Sequence, residues 1–107
     1  MAGPKRYRPV PIIVNEIPRV DAVIISHNHY DHLDYQSVMD LNRKFAKNGL
    51  NWFVGLGTAE WFRSCGINEN VNELDWWETK KFRDIEFCFT PAQHWCTRSL
   101  FDRYTYL

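Results

Sequence analysis

The apolar run from Val20 to Ser26 stops abruptly at His27-Asn28-His29-Tyr30-Asp31-His32, and this junction constrains the chain more than any other feature in it. The Ala-Val-Ile-Ile centre has strand length and reads as a β-strand covered on both faces. Four of the six residues that follow can ligate a metal. They include three of the chain's four histidines. The fourth, His94, ends a later stretch in which Ile85, Phe87 and Phe89 alternate, as in a second strand. Every histidine is therefore a candidate zinc ligand.

In extended chain, residues two apart point the same way, so His27 and His29 can converge on one ion while adjacent Asp31 and His32 turn toward another. His94 completes the three-histidine set of the first ion if its strand lies beside the first. Imidazole nitrogen and carboxylate oxygen suit zinc, and a site with few protein ligands leaves room for water. Water there is acidified toward neutrality, and the metals neutralise charge on a phosphoryl or carbonyl oxygen. That is hydrolytic machinery. Polar loop residues at a strand end would account for one such histidine, not for four converging groups. Asp34 differs, because capping of the next helix explains it fully.

Around this block the pattern is strand, helix, strand, helix. Asp34 is the expected N-cap, Leu33 and Val38 a hydrophobic staple, and Val38, Leu41 and Phe45 one apolar face, with Gly49 as the stop. Asn51 to Val54 reads as a second buried strand, followed by the Gly55-Leu56-Gly57 turn and a short helix from Thr58 to Cys65 closed by Gly66. Three further short strands are expected at Val71 to Leu74, Trp76 to Lys81 and Ile85 to Ala92. Alternation of this kind predicts a layered α/β architecture, a sheet with helices on one face. Pro4, Pro9, Pro11 and Pro18 keep the beginning of the chain extended or turned.

Composition narrows the function classes. One domain is the most that 107 residues allow. Thirteen basic residues balance thirteen acidic ones, so no electrostatic argument points to nucleic acid. The one basic cluster, Lys5-Arg6-Tyr7-Arg8, is too short to imply a polyanion partner. Cys65, Cys88 and Cys96 lack paired spacing, which suits a reducing intracellular compartment and buried, apolar roles. No run is long enough to span a bilayer, so membrane contact would be peripheral. The five tryptophans suit a core or a lipid headgroup interface, with the core reading preferred. In the pair Trp76-Trp77, strand alternation places at least one ring in the core.

The block His27-Asn28-His29-Tyr30-Asp31-His32 matches the HxHxDH signature and resembles the metallo-β-lactamase superfamily. Longer stretches narrow the likeness: Ala2-Gly3-Pro4-Lys5-Arg6-Tyr7-Arg8-Pro9-Val10-Pro11, then Ile25-Ser26 running into the block and on to Leu33-Asp34-Tyr35, then Glu73-Leu74-Asp75-Trp76-Trp77-Glu78, and Pro91-Ala92-Gln93-His94-Trp95-Cys96. Together they resemble the N-acyl-phosphatidylethanolamine-hydrolysing phospholipase D family. The resemblance implies an αββα sandwich, of which residues 1–107 represent about one half as a partial domain with a mixed sheet and two helices. It implies a di-zinc phosphodiesterase that cleaves N-acylphosphatidylethanolamine into an N-acylethanolamine and phosphatidic acid. By resemblance, His27, His29 and His94 bind one zinc. Asp31 and His32 bind the other and are the candidate catalytic pair. Implied partners are the N-acylated phospholipid at a membrane surface, a second subunit in a homodimer, and a bile acid. The implied location is peripheral, on the cytosolic side of Golgi or endosomal membranes.

The same resemblance sets an expectation against full activity. The family's bridging aspartate and last histidine come well after the His94 position, and Asp102 follows His94 too closely to be that bridge. The inner face of half a sandwich is expected to be exposed. One zinc or fewer is expected here, with weak or no turnover. The alternatives are a non-catalytic zinc-binding product and another hydrolase of the superfamily.

Overall fold

The computed structural model describes residues 7–96 in full and residues 105–106 by their backbone. Met1 to Arg6, and with them part of the basic cluster, lie outside the described residues, as does Asp102. Strand β1 (Ala22–Ile24) leads through the histidine block to helix α1 (Tyr35–Phe45), which a short 3-10 turn (Ala46–Asn48) extends to Gly49. Strand β2 (Asn51–Gly55), helix α2 (Ala59–Ser64) and strand β3 (Val71–Leu74) follow. Then come the hairpin strands β4 (Thr79–Phe82) and β5 (Ile85–Cys88), and the short pair β6 (Trp95–Cys96) and β7 (Thr105–Tyr106).

The local chemistry explains the helix ends. The Asp34 carboxylate accepts from the Ser37 backbone N–H at 2.9 Å and from its hydroxyl at 2.7 Å, satisfying a donor the helix itself leaves open. Leu33 and Val38 are both buried in one cluster, as a staple requires. At the other end Gly49 takes a left-handed φ of 84°, a conformation glycine adopts without steric cost.

The three first strands form a parallel sheet in the order β1-β2-β3, with Ala22, Val23 and Ile24 opposite Asn51, Trp52 and Phe53. Central β2 is covered on both faces. Trp52 and Val54 join Leu33, Val38, Phe45, Leu50, Phe62 and Ile67 in the core beneath the helices. Phe53 faces the other way, 3% exposed, against Phe87 and Phe82 of the hairpin, with ring centroids 4.3 and 5.7 Å away.

The hairpin is a separate antiparallel sheet, so the chain combines parallel and antiparallel pairing without joining them in one ladder. Besides the Phe53 ring contacts, two further contacts bind it to the parallel sheet. Arg83, in the β4–β5 turn, reaches the Asp21 carboxylate at 3.0 Å, which Arg19 also meets at 3.0 Å. Burial pushes the Asp21 carboxyl pKa up, but Arg19 and Arg83 together hold it below its ordinary value. At the far end of the sheet, a Cβ on Gly55 would lie 3.0 Å from the Phe89 ring, so glycine there lets Phe89 pack against β2.

Three expectations need correction. Strand β1 is shorter than Val20 to Ser26 and is not covered on both faces: Ile24, in register with Phe53, is 64% exposed because the hairpin covers β2 and leaves the sheet edge open. Trp76 and Trp77 form a turn rather than a strand, and neither ring is in the core, with exposures of 47% and 69%. The turn is tied by Asp75 and Glu78. The Glu78 carboxylate accepts from the Asp75 N–H at 3.0 Å, and the Asp75 carboxylate accepts from the Trp76 N–H at 2.7 Å. Trp77 takes a φ of 64° there. Cys88 is exposed, unlike buried Cys96 and half-buried Cys65, and all three thiols are free.

Before β1 the proline-rich segment contains one 3-10 turn, Val14–Glu16. The Lys44 ammonium of α1 donates to the carbonyls of Val14, Asn15 and Ile17 at 3.2, 2.7 and 2.6 Å, pinning this segment to the helix. No helix among the described residues is long and apolar enough to cross a membrane.

Candidate metal centre

Three imidazoles meet where the parallel strands end. His27 follows the end of β1 by three residues and is 7% exposed. His29 follows two residues on, and the chain then turns sharply, the His29 carbonyl accepting from the N–H groups of His32 at 2.9 Å and Leu33 at 2.7 Å. His94 arrives from the other direction. Its Nε2 lies 3.1 Å from Nε2 of His27. The ring centroids of His27, His29 and His94 are 4.5 to 4.9 Å apart, and one nitrogen from each lies within 4.8 Å of the others.

This donor set fits a metal ion. Two nitrogens bound at the usual zinc distance of ~2.0–2.1 Å in a tetrahedron stand about 3.3 Å apart, close to the observed His27–His94 separation. A neutral imidazole is the right donor, since a protonated ring cannot ligate. Burial, reinforced by the nearby His32, His94 and His29 rings and opposed by Asp31, pushes the His27 pKa down to about 4. Its ring is therefore neutral at pH 7.

Asp31 Oδ2 lies 3.4 Å from Nε2 of the adjacent His32, and both residues are exposed. They stand outside the three-histidine group, although the His32 ring centroid is 4.1 Å from that of His27. Asp34 is the helix cap and nothing more among its described contacts.

The route taken by His94 differs from the sequence-based one. Its strand does not lie beside β1, because among the described residues β5 pairs with β4 alone. Packing of Phe87 and Phe89 against Phe53 and Gly55 carries the segment after β5 across the end of the parallel sheet instead. Sequence reasoning also passed over two neighbours of the cluster. The Ser26 hydroxyl lies 2.8 Å from Nδ1 of His27, and the Trp95 ring packs edge-on against His29 at 5.0 Å. Position alone gave the available signal, since each is adjacent in sequence to a candidate ligand.

An apolar cavity of about 320 Å³ opens beside the cluster, between the outer face of the parallel sheet and the hairpin. Ser26 lines it together with Ile24, Phe53, Leu74, Phe87 and Phe89.

Residues 1–106 match a family model described as the beta-lactamase superfamily domain. The chain belongs to the beta-lactamase superfamily. It is 38% identical over 109 residues to N-acyl-phosphatidylethanolamine-hydrolyzing phospholipase D 1 of Caenorhabditis elegans, which covers 94% of this chain and 30% of that protein. It is 42% identical over 104 residues to the mitochondrial N-acyl-phosphatidylethanolamine-hydrolyzing phospholipase D of Saccharomyces cerevisiae, covering 94% of this chain and 21% of the relative. An uncharacterized protein of Mycobacterium tuberculosis is 36% identical over 101 residues, which is 26% of its length. The chain thus spans less than a third of each of these relatives. Membership of this superfamily, with an α/β fold, agrees with the sequence-based expectation.

Proposed function

We propose that this chain carries the metal-binding part of a zinc-dependent, phospholipase D-type phosphodiesterase that acts on N-acylphosphatidylethanolamine at a membrane surface. The observation that carries the reading is the convergence of His27, His29 and His94 at the end of β1, in a chain whose similar proteins include two named for that hydrolysis. His27 and His94 present Nε2 to a common point and His29 supplies the third nitrogen. A zinc ion held there supplies Lewis acidity toward a phosphoryl oxygen and lowers the pKa of a nearby water. Asp31 and His32 contribute a carboxylate and an imidazole 3.4 Å apart on the open side, placed to ligate a second ion or to hold a proton. The apolar cavity next to Ser26 suits the hydrocarbon part of a lipid better than a polar substrate.

A second reading is zinc binding without turnover. It is favoured by the single three-donor group found among the described residues. One experiment separates the two. The chain is titrated with zinc, then presented with N-acylphosphatidylethanolamine in mixed micelles, and the release of N-acylethanolamine is followed by mass spectrometry beside His27→Ala. His27-dependent release supports the phosphodiesterase. About one zinc per chain without release supports the binding product, and failure to bind zinc sinks both.

A further inference from the structure

The His27 ring has two distinct neighbours, one on each nitrogen. Nε2 faces His94, at 3.1 Å, and so points into the three-histidine group. Nδ1 faces the Ser26 hydroxyl at 2.8 Å. A neutral imidazole carries one proton, so the partner on one nitrogen decides whether the other is bare. We propose that Ser26 is a positioning residue: its Oγ accepts the Nδ1–H of His27, which locks the ring in the tautomer whose bare Nε2 lone pair is available to an ion.

The backbone makes this contact dependable. Ser26 and His27 are consecutive and follow β1 after Ile25, whose N–H is still tied to the Phe53 carbonyl at 2.9 Å. The last ordered rung of the parallel sheet is thus one residue from the hydroxyl. His27 is the most enclosed of the three histidines, so water is a poor substitute for this partner. Ser26 also lines the apolar cavity, which places its hydroxyl at the border between the imidazoles and the cavity. Orienting groups of this kind typically alter metal affinity about ten- to hundred-fold when removed.

The inference rests on the reading of His27 as a ligand, but its first test needs neither metal nor substrate. Long-range ¹H–¹⁵N spectra of the metal-free chain at pH 7.5 report which nitrogen of His27 is protonated. The expected result is a proton on Nδ1 in the parent chain, its loss or mixing in Ser26→Ala, and its return in Ser26→Thr, with unchanged far-ultraviolet circular dichroism. Zinc competition against a chromophoric chelator should show affinity falling about ten- to hundred-fold in Ser26→Ala and recovering in Ser26→Thr. A proton on Nε2 of His27 in the parent chain, or a Ser26→Ala chain with unaltered tautomer and affinity, overturns the proposal. Absence of phospholipid hydrolysis bears on the proposed function and leaves the tautomer result intact.

Discussion

Phe53 of β2 packs against Phe87 of β5 with ring centroids 4.3 Å apart, and this contact is what joins the hairpin, and with it His94, to the sheet that carries His27. Phe53 also touches Phe82, so both hairpin strands are held by one buried ring. Phe53→Ala should destabilise the chain by about 3–5 kcal/mol, the usual cost of emptying a buried phenylalanine site. Phe87→Ala, at a half-buried position, should cost less in stability yet weaken zinc binding, because the segment leading to His94 loses its footing. Thermal unfolding together with zinc titration checks both effects. Unchanged zinc affinity in a folded Phe87→Ala chain would show that His94 is placed by other contacts.

Alanine at His27, His29 or His94 should weaken binding of the first zinc more than the roughly ten- to hundred-fold loss typical of an outer partner. His32→Ala and Asp31→Ala should leave that binding largely intact, since both side chains lie outside the converging group. Calorimetric titration of the five variants distinguishes the two sets.

In the metal-free chain, pH should act through His27. Its folded pKa is about 4, against an ordinary value of 6.5, so between these limits the unfolded chain binds the extra proton. The contribution is fully present above pH 6.5 and is lost as pH falls toward 4. At about 1.36 kcal/mol per unit, up to roughly 3 kcal/mol is involved. Denaturant melts at pH 7.5 and 5 should show this drop, and His27→Gln should flatten it.

Asp34→Ala removes the acceptor of two Ser37 hydrogen bonds at the start of α1. A loss of about 1 kcal/mol is expected, with Asp34→Asn or Asp34→Ser restoring most of it. Melting temperatures of the three variants settle the point.

Trp77 offers a change of opposite sign. Its φ of 64° is costly for a bulky residue, and its ring is mainly in solvent, so Trp77→Gly relieves strain while giving up little burial. Relief of a left-handed cost of about 1–2 kcal/mol, less an entropic cost of glycine of about 0.5–1 kcal/mol, predicts a modest net stabilisation, read as a higher melting temperature. A lower one would mean that the ring packs more than its exposure indicates.

Wherever a pattern was reinforced by local chemistry, the sequence was legible. The Asp34 cap follows from a side chain bonding nearby backbone, and the Gly49 and Gly66 stops from the positive φ that glycine takes without a Cβ clash. The Trp76-Trp77 pair misled because aromatic residues favour strands, whereas here the carboxylates of Asp75 and Glu78 outcompete that preference by bonding the turn N–H groups. The coverage of β1 was overestimated because an apolar run does not reveal whether its strand lies at a sheet edge. In the candidate metal centre the residue types announced themselves, and the spacing of His27 and His29 pointed to their proximity. What could not be read was the path of His94, which depends on tertiary contacts of Phe87 and Phe89. Ser26 escaped notice because a lone serine at a strand end has no pattern to distinguish it.

His27 and His94 are sixty-seven positions apart in the chain, yet their Nε2 atoms are 3.1 Å apart. For a flexible loop of that length, the length-dependent part of closure entropy is about 3–4 kcal/mol. In polymer terms an ion bound to both rings is a cross-link that closes nearly two-thirds of the molecule. On the proposed reading, that cross-link would be completed as the parallel sheet and the hairpin dock. Zinc affinity would then report the docking of the two sheets, and an ion bound there would slow unfolding at the junction where they part.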